Sequence, residues 1–148
     1  MADKSIRQKI VDAVDTQLKK ILTTGGYETN IGQSVNWWLE RVDTEILPAI
    51  VCRDRLLPPE NNIRWVRRLA IEMEIFLAPT EDPVETMRKA LADIEDNVRN
   101  DPTWGGLAHD TEILESEKMS VDDWETIVIA SGFYMVIEYE TEPWNPRA

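Results

Sequence analysis

Catalysis needs a base beside a nucleophile, a set of converging carboxylates, or a glycine-rich phosphate loop, and the 148-residue chain can be searched for each. His109 is the only histidine, and it follows Gly105-Gly106 with no serine motif around it. A histidine-based triad therefore has no sequence support, and His109 reads as a loop or strand-end residue. Neither G-x-x-x-x-G-K-[ST] nor G-x-G-x-x-G occurs, so no nucleotide site is indicated. Glu72 and Glu74 on one strand face, with Asp93 on a helix, form the one carboxylate set that hard-cation chemistry could use. With 28 acidic residues, proximity by chance is expected, and Glu112, Glu115 and Glu117 read as a wet acidic surface rather than a metal cage. No catalytic, metal or cofactor residue is assigned.

The aromatic and basic residues say more. Tryptophan is costly to expose and enriched at protein interfaces. Of the six tryptophans, Trp65 is expected in the core, whereas Trp37, Trp38, Trp104 and Trp144 fall in loop-like or terminal segments and are candidate contacts between subunits. Arg64, Arg67 and Arg68 form one basic knot in an otherwise acidic chain. It would meet an acidic partner, another copy of the chain included, or pair internally with Glu72 or Glu74.

A formal net charge of −12 argues against nucleic-acid binding, because affinity for the phosphate backbone comes mainly from Lys and Arg. With 43% hydrophobic residues the chain can build a core as one domain, residues 1–141, followed by an extended tail, 142–148. Cys52 is the only cysteine, so no internal disulfide can exist, one lone thiol cannot make a zinc site of the usual four-ligand kind, and a reducing site of folding is expected. No signal pattern or run of membrane-spanning length stands at either terminus, so a soluble protein is expected.

The elements that must position these groups are legible in the spacing. Ser5-Ile6-Arg7-Gln8 has capping-box spacing, and Ile6, Ile10, Val14, Leu18 and Ile21 mark a helical stripe that Gly25-Gly26 would end. Tyr27 to Gln33 suggests a short strand or arm, and Ser34 to Leu47 a packed or partner-covered loop. Ala49 to Leu56 reads as a strand between prolines, with a turn at Glu60-Asn61-Asn62. From Ile63 to Ala78, Trp65, Leu69, Ile71, Met73, Ile75 and Leu77 alternate with Arg68, Glu72 and Glu74, while Arg67 interrupts the apolar side. Asp82-Pro83-Val84-Glu85 opens a second helix with its stripe at Val84, Met87, Leu91, Ile94 and Val98. Ala108 to Met119 reads as an exposed edge strand. Ile127 to Tyr139, with Ile127, Ile129, Phe133, Met135, Ile137 and Tyr139 on one face, reads as a central strand. The expected fold is α+β: a mixed, mainly antiparallel sheet with two amphipathic helices packed on it.

Gly25-Gly26-Tyr27-Glu28-Thr29-Asn30-Ile31-Gly32 after the opening helix, Leu91-Ala92-Asp93-Ile94, the run Asp101 to Ala108, and Tyr139-Glu140-Thr141 together give a pattern that resembles the tail terminator, or tail completion, proteins of long-tailed bacteriophages. That family is typified by the minor tail protein U of phage lambda. The resemblance covers nearly the whole chain in order and length. It implies a non-enzymatic virion protein without cofactors, a homo-hexameric ring at the head-proximal end of the tail tube. Its partners would be copies of itself, the tail tube protein and a head-tail connector or completion protein. DNA would pass a lumen for which Ala108 to Met119, with Glu112, Glu115 and Glu117, is the first candidate lining. The rival readings are an acidic DNA mimic and a carboxylate-dependent metal enzyme built on Glu72, Glu74 and Asp93.

Overall fold

The computed structural model describes residues 3–59, 65–120 and 128–148, with side chains except at 115–120 and 128–132. The fold is α+β: a mixed, mostly antiparallel sheet of five strands carrying two helices. Helix α1, Ile6–Leu18, precedes strands β1, Val35–Trp37, β2, Ala49–Leu56, and β3, Val66–Leu77. Helix α2, Pro83–Asn100, then leads to β4, Asp110–Ser120, and β5, Val128–Glu140. The strand order is β1-β2-β3-β5-β4, with β1 parallel to β2 and every other neighbour antiparallel. The predicted places of the last two strands hold: β4 is an edge, and β5 lies between β3 and β4.

Both helices start at their predicted caps. Ser5 Oγ accepts from Gln8 N at 3.1 Å, and Asp82 Oδ1 accepts from Glu85 N at 3.0 Å, each satisfying an amide that lacks an intrahelical partner. Their stripes, Ile10, Val14 and Leu18 on α1 and Met87, Leu91, Ile94 and Val98 on α2, are buried in one cluster with the apolar face of the sheet. That face carries Ile50 and Cys52 of β2, Leu69, Ile71, Met73, Ile75 and Leu77 of β3, and Phe133, Met135, Ile137 and Tyr139 of β5. Burying a side chain of this size contributes about 1.5–3 kcal/mol, so the helix layer is the main stabilising contact. The second face has a small apolar centre, Val51, Ala70, Phe76 and Val136, all buried. Over it run the ion pairs Arg53–Glu74 at 3.1 Å and Arg55–Glu72 at 3.4 Å.

Several expectations are corrected. Helix α1 stops at Leu18, well before Gly25-Gly26; Ile21 is buried beyond the helix, and Gly26, at φ 90°, caps a 3-10 turn over Thr23–Gly25 instead. Tyr27 to Gln33 forms no strand: it ends in a 3-10 turn, Ile31–Gln33, pinned because the Asp93 carboxylate accepts from Glu28 N, Thr29 N and Thr29 Oγ1. Ser34 to Leu47, expected as a loop, contains β1, whose three residues are too few to show a period. The alternation in β5 breaks where residues 130–133 carry one extra residue against β3: Phe133 faces Met73, Ala130 faces Ile75, and Ile129 falls in register with Phe76. The side chain of Ile129, expected to share a face with Phe133, lies outside the described set. Residues 142–148 turn back through a Glu142–Asn145 bridge rather than running extended, and Pro146 O accepts from Ile6 N at 2.8 Å. The turn expected at Glu60-Asn61-Asn62 lies outside the described residues, as do Ile63 and Ile127. No described helix is long and apolar enough to cross a membrane.

Two outcomes test this packing. A Cβ at Gly32 would collide with Leu18 O and come within 2.7 Å of Ile21 O, both backbone atoms; Gly32→Ala should cost about 2 kcal/mol or more in urea denaturation, and an unchanged midpoint would refute the close approach. Burial, with a smaller contribution from the charge of Asp15, pushes the Cys52 thiol well above its ordinary value. Little thiolate therefore exists at neutral pH, and native protein should react with iodoacetamide about 100-fold more slowly than urea-unfolded protein; equal rates would contradict the buried placement.

Candidate assembly surface

The exposed large hydrophobics among the described residues gather with charged side chains where the N-terminus of α1 meets the polar end of the sheet. Strand β2 is buried on both faces from Ala49 to Cys52 and then opens to solvent through Arg55 and Leu56. Strand β3 starts half-buried at Val66, Arg67 and Arg68 before its apolar run. The sheet therefore has one dry end and one wet end, and α1 begins over the wet one. Arg7 of α1 donates to Asp54 Oδ2 of β2 through Nη2 at 2.7 Å and Nε at 2.9 Å. The other oxygen, Asp54 Oδ1, accepts from Trp38 Nε1 at 2.8 Å. One carboxylate thus fixes both an arginine and an exposed indole.

On one side of Arg7 lies a cleft of about 390 Å³ lined by Leu56, Trp65, Arg67, Tyr139, Trp144 and Pro146 among others. Trp65 and Trp144 meet edge to face, with ring centroids 5.1 Å apart and planes at 76°, a geometry worth about 1 kcal/mol beyond area burial. Arg67 stands opposite Tyr139 in the β3–β5 register. Burial raises the Tyr139 phenol above its ordinary value, and the positive charges of Arg7 and Arg67 oppose that rise. Arg7 has its carboxylate, whereas Arg67 has none within ion-pair distance among the described residues. On the other side of Arg7 a second cleft runs over Trp37, Trp38, Asp15 and Asp54.

The proposed contact residues sort themselves on this geometry. Trp38, Leu56 and Trp144 are 57%, 43% and 86% exposed, and they are the exposed large hydrophobics among the described residues; all three border the two clefts that share Arg7. Trp37 is half-buried, packed on the core and donating to Asp15 Oδ1 at 3.1 Å. Trp104 is corrected: it is 2% exposed, and its Nε1 donates to Thr111 Oγ1 at 2.8 Å, so it belongs to the core beneath the loop after α2. Trp65, expected in the core, is half-buried in the cleft wall instead.

The basic knot divides as well. Arg67 faces the cleft, Arg68 lies on the other face opposite Glu138, and Arg64 lies outside the described residues. Glu72 and Glu74, the proposed internal partners, are engaged by Arg55 and Arg53 of the neighbouring strand. The carboxylate set Glu72, Glu74 and Asp93 does not converge, because the two glutamates lie on the second face while Asp93 of α2 is buried against Glu28 and Thr29. Glu112 is exposed on β4; the side chains of Glu115 and Glu117 lie outside the described set. His109 is exposed, with Nε2 3.3 Å from Glu140 Oε2.

Arg7, Asp54 and Leu56 were not proposed as contact residues from the sequence, and Tyr139 was read only as a strand-face residue, because Arg7, the Asp54–Leu56 stretch and Tyr139 are far apart along the chain. One signal was present: Leu56 is a large apolar residue where β2 has already turned polar. Compared with known proteins, the chain matches no family model and no curated sequence.

The shared carboxylate generates a direct test. Arg7→Ala and Asp54→Ala should each destabilise, and the double variant should be less costly than their sum by about 1 kcal/mol, measured by urea unfolding. Strict additivity would mean that the pair contributes nothing in solution.

Proposed function

We propose that this protein is a non-enzymatic structural subunit of a bacteriophage tail, a tail terminator that closes the head-proximal end of the tube as a six-membered ring. The observation that carries the reading is the gathering of Trp38, Leu56 and Trp144 around Arg7 and Arg67 at one end of the sheet. Tryptophan and arginine dominate the energetics of protein interfaces, and exposed aromatic groups clustered about fixed charges are the composition of such a hot spot. Scattered exposed hydrophobics need no explanation; a cluster does. The likeness of the Gly25 to Gly32, Asp101 to Ala108 and Tyr139 to Thr141 segments to tail terminator proteins supplies the assembly.

On this reading the ring stops tube growth, contacts the tail tube protein below, and offers its upper surface to a head-tail connector. A net charge of −12 suits a ring through which DNA must pass without adhering. A closed ring needs one surface of each copy to meet a different surface on the next. Native mass spectrometry of the free protein, and electron imaging of it on tail tubes of the same phage, should show hexamers or six-fold rings. Monomers or two-fold dimers alone under both conditions would refute the proposal.

A further inference from the structure

Arg67 lines an open cleft whose walls include Trp65, Tyr139, Trp144 and Leu56, so its guanidinium is bordered by apolar surface. A guanidinium so placed recognises a carboxylate carried on an apolar stem or flanked by apolar residues. The chain itself carries such a segment. Between β1 and β2, Glu40, Asp43 and Glu45 are exposed, Val42 and Ile46 are half-buried, and Arg41 is the one cation among them. None of the three carboxylates makes an ion pair among the described residues. On the outer face of α2, by contrast, Glu85 and Asp96 are already engaged by Lys89 at 3.5 Å and Arg99 at 3.4 Å.

Position excludes a contact within one copy. The acidic segment stands on the second face of the sheet, over Val51, Arg53, Glu74 and Phe76, and leads into the Ala49 end of β2. The Arg67 cleft opens at the Leu56 end, on the helix side. Asp43 lies beside Val51 and Arg53, which precede Leu56 by five and three residues, so roughly 10–15 Å of strand at ~3.3 Å per residue, and the sheet itself, stand between it and the cleft on the other face. Two complementary patches at opposite ends and on opposite faces of one subunit make a head-to-tail contact, the kind that closes rings.

We propose that the cleft formed by Arg67, Trp65, Tyr139 and Trp144 receives the segment Glu40–Ile46 of a second copy of this chain, with the carboxylate of Asp43 or Glu45 on Arg67. The inference rests on the ring reading above and names the contact that builds the ring. Val42 or Ile46 of the entering segment covers the exposed faces of Trp144 and Leu56.

The test uses two charge reversals, Arg67→Glu and the pair Asp43→Lys with Glu45→Lys, on the full chain, with circular dichroism confirming the fold and sedimentation reading assembly. Each reversal alone should raise the concentration for half-assembly at least tenfold. An equimolar mixture of the two defective proteins should restore it to within about threefold of wild type, because in an alternating ring every contact joins either the original pair or its sign-reversed counterpart. Arg67→Gln, which keeps the stem, serves as a milder probe and should weaken assembly and flatten its salt dependence. Wild-type protein that never assembles, alone or on tail tubes, overturns the ring reading and the contact with it. Wild type that assembles while both Arg67 variants match it overturns the contact alone. Defective variants that the mixture does not rescue overturn the assignment of Asp43 and Glu45 as occupants.

Discussion

One constraint governs this fold: both helices cover a single face of a five-stranded sheet, and among the described residues no α-helix covers the other, over which only the segment around Leu39 to Thr44 passes. Beyond Arg67 the covered face of β3 is apolar, with Leu69, Ile71, Met73 and Ile75 shut off from solvent together with Met135 of β5. The second face keeps only a narrow apolar centre, sheltered by long charged side chains from neighbouring strands. Arg53 and Arg55 lie across it to Glu74 and Glu72, each such pair worth about 1 kcal/mol or less, so their stems cover more than their charges stabilise.

The same constraint creates the candidate assembly surface. Helix α1 begins over the wet end of the sheet, leaving a corner that neither helix fills. The C-terminal turn closes part of that corner, with Pro146 O bonded to Ile6 N and Arg147 Nε to Asp3 O. What remains open is a cleft with a fixed charge, Arg7 on Asp54, and a second, Arg67, that has no ion-pair partner among the described residues. Trp38 and Trp144 hold positive φ values, 57° and 60°, where residues with a Cβ are uncommon. Both indoles stand at the rim of this corner, whereas Trp104, with φ 53°, is buried in the core.

Where the apolar period was long, the sequence was enough to place the elements. Sixteen residues of alternation defined β3, and the caps at Ser5 and Asp82 located both helix starts. Shorter or interrupted patterns were unreadable for physical reasons. The three residues of β1 carry no period, the extra residue at 130–133 shifts the alternation of β5, and the tertiary grip of Asp93 on Thr29 shapes a turn that no local signal specifies. The candidate site was half legible. Tryptophans could be picked out by type, yet type does not tell that Trp104 is buried with its indole bonded to Thr111, seven residues on, while Trp38 and Trp144 stay exposed against Asp54 and Trp65. Arg67 was marked by its place on the apolar side of a strand, and the cleft gives that anomaly its physical setting.

The central claim is that the sheet end around Arg7 and Arg67 is an assembly surface rather than an idle rim. Hydrogen–deuterium exchange comparing assembled with dissociated protein tests it most directly. The account predicts added protection at residues 5–8, 65–68 and 139–146 together with 40–46, and little change along the outer face of α2. Protection confined to α2, or no difference at the sheet end on assembly, would contradict it.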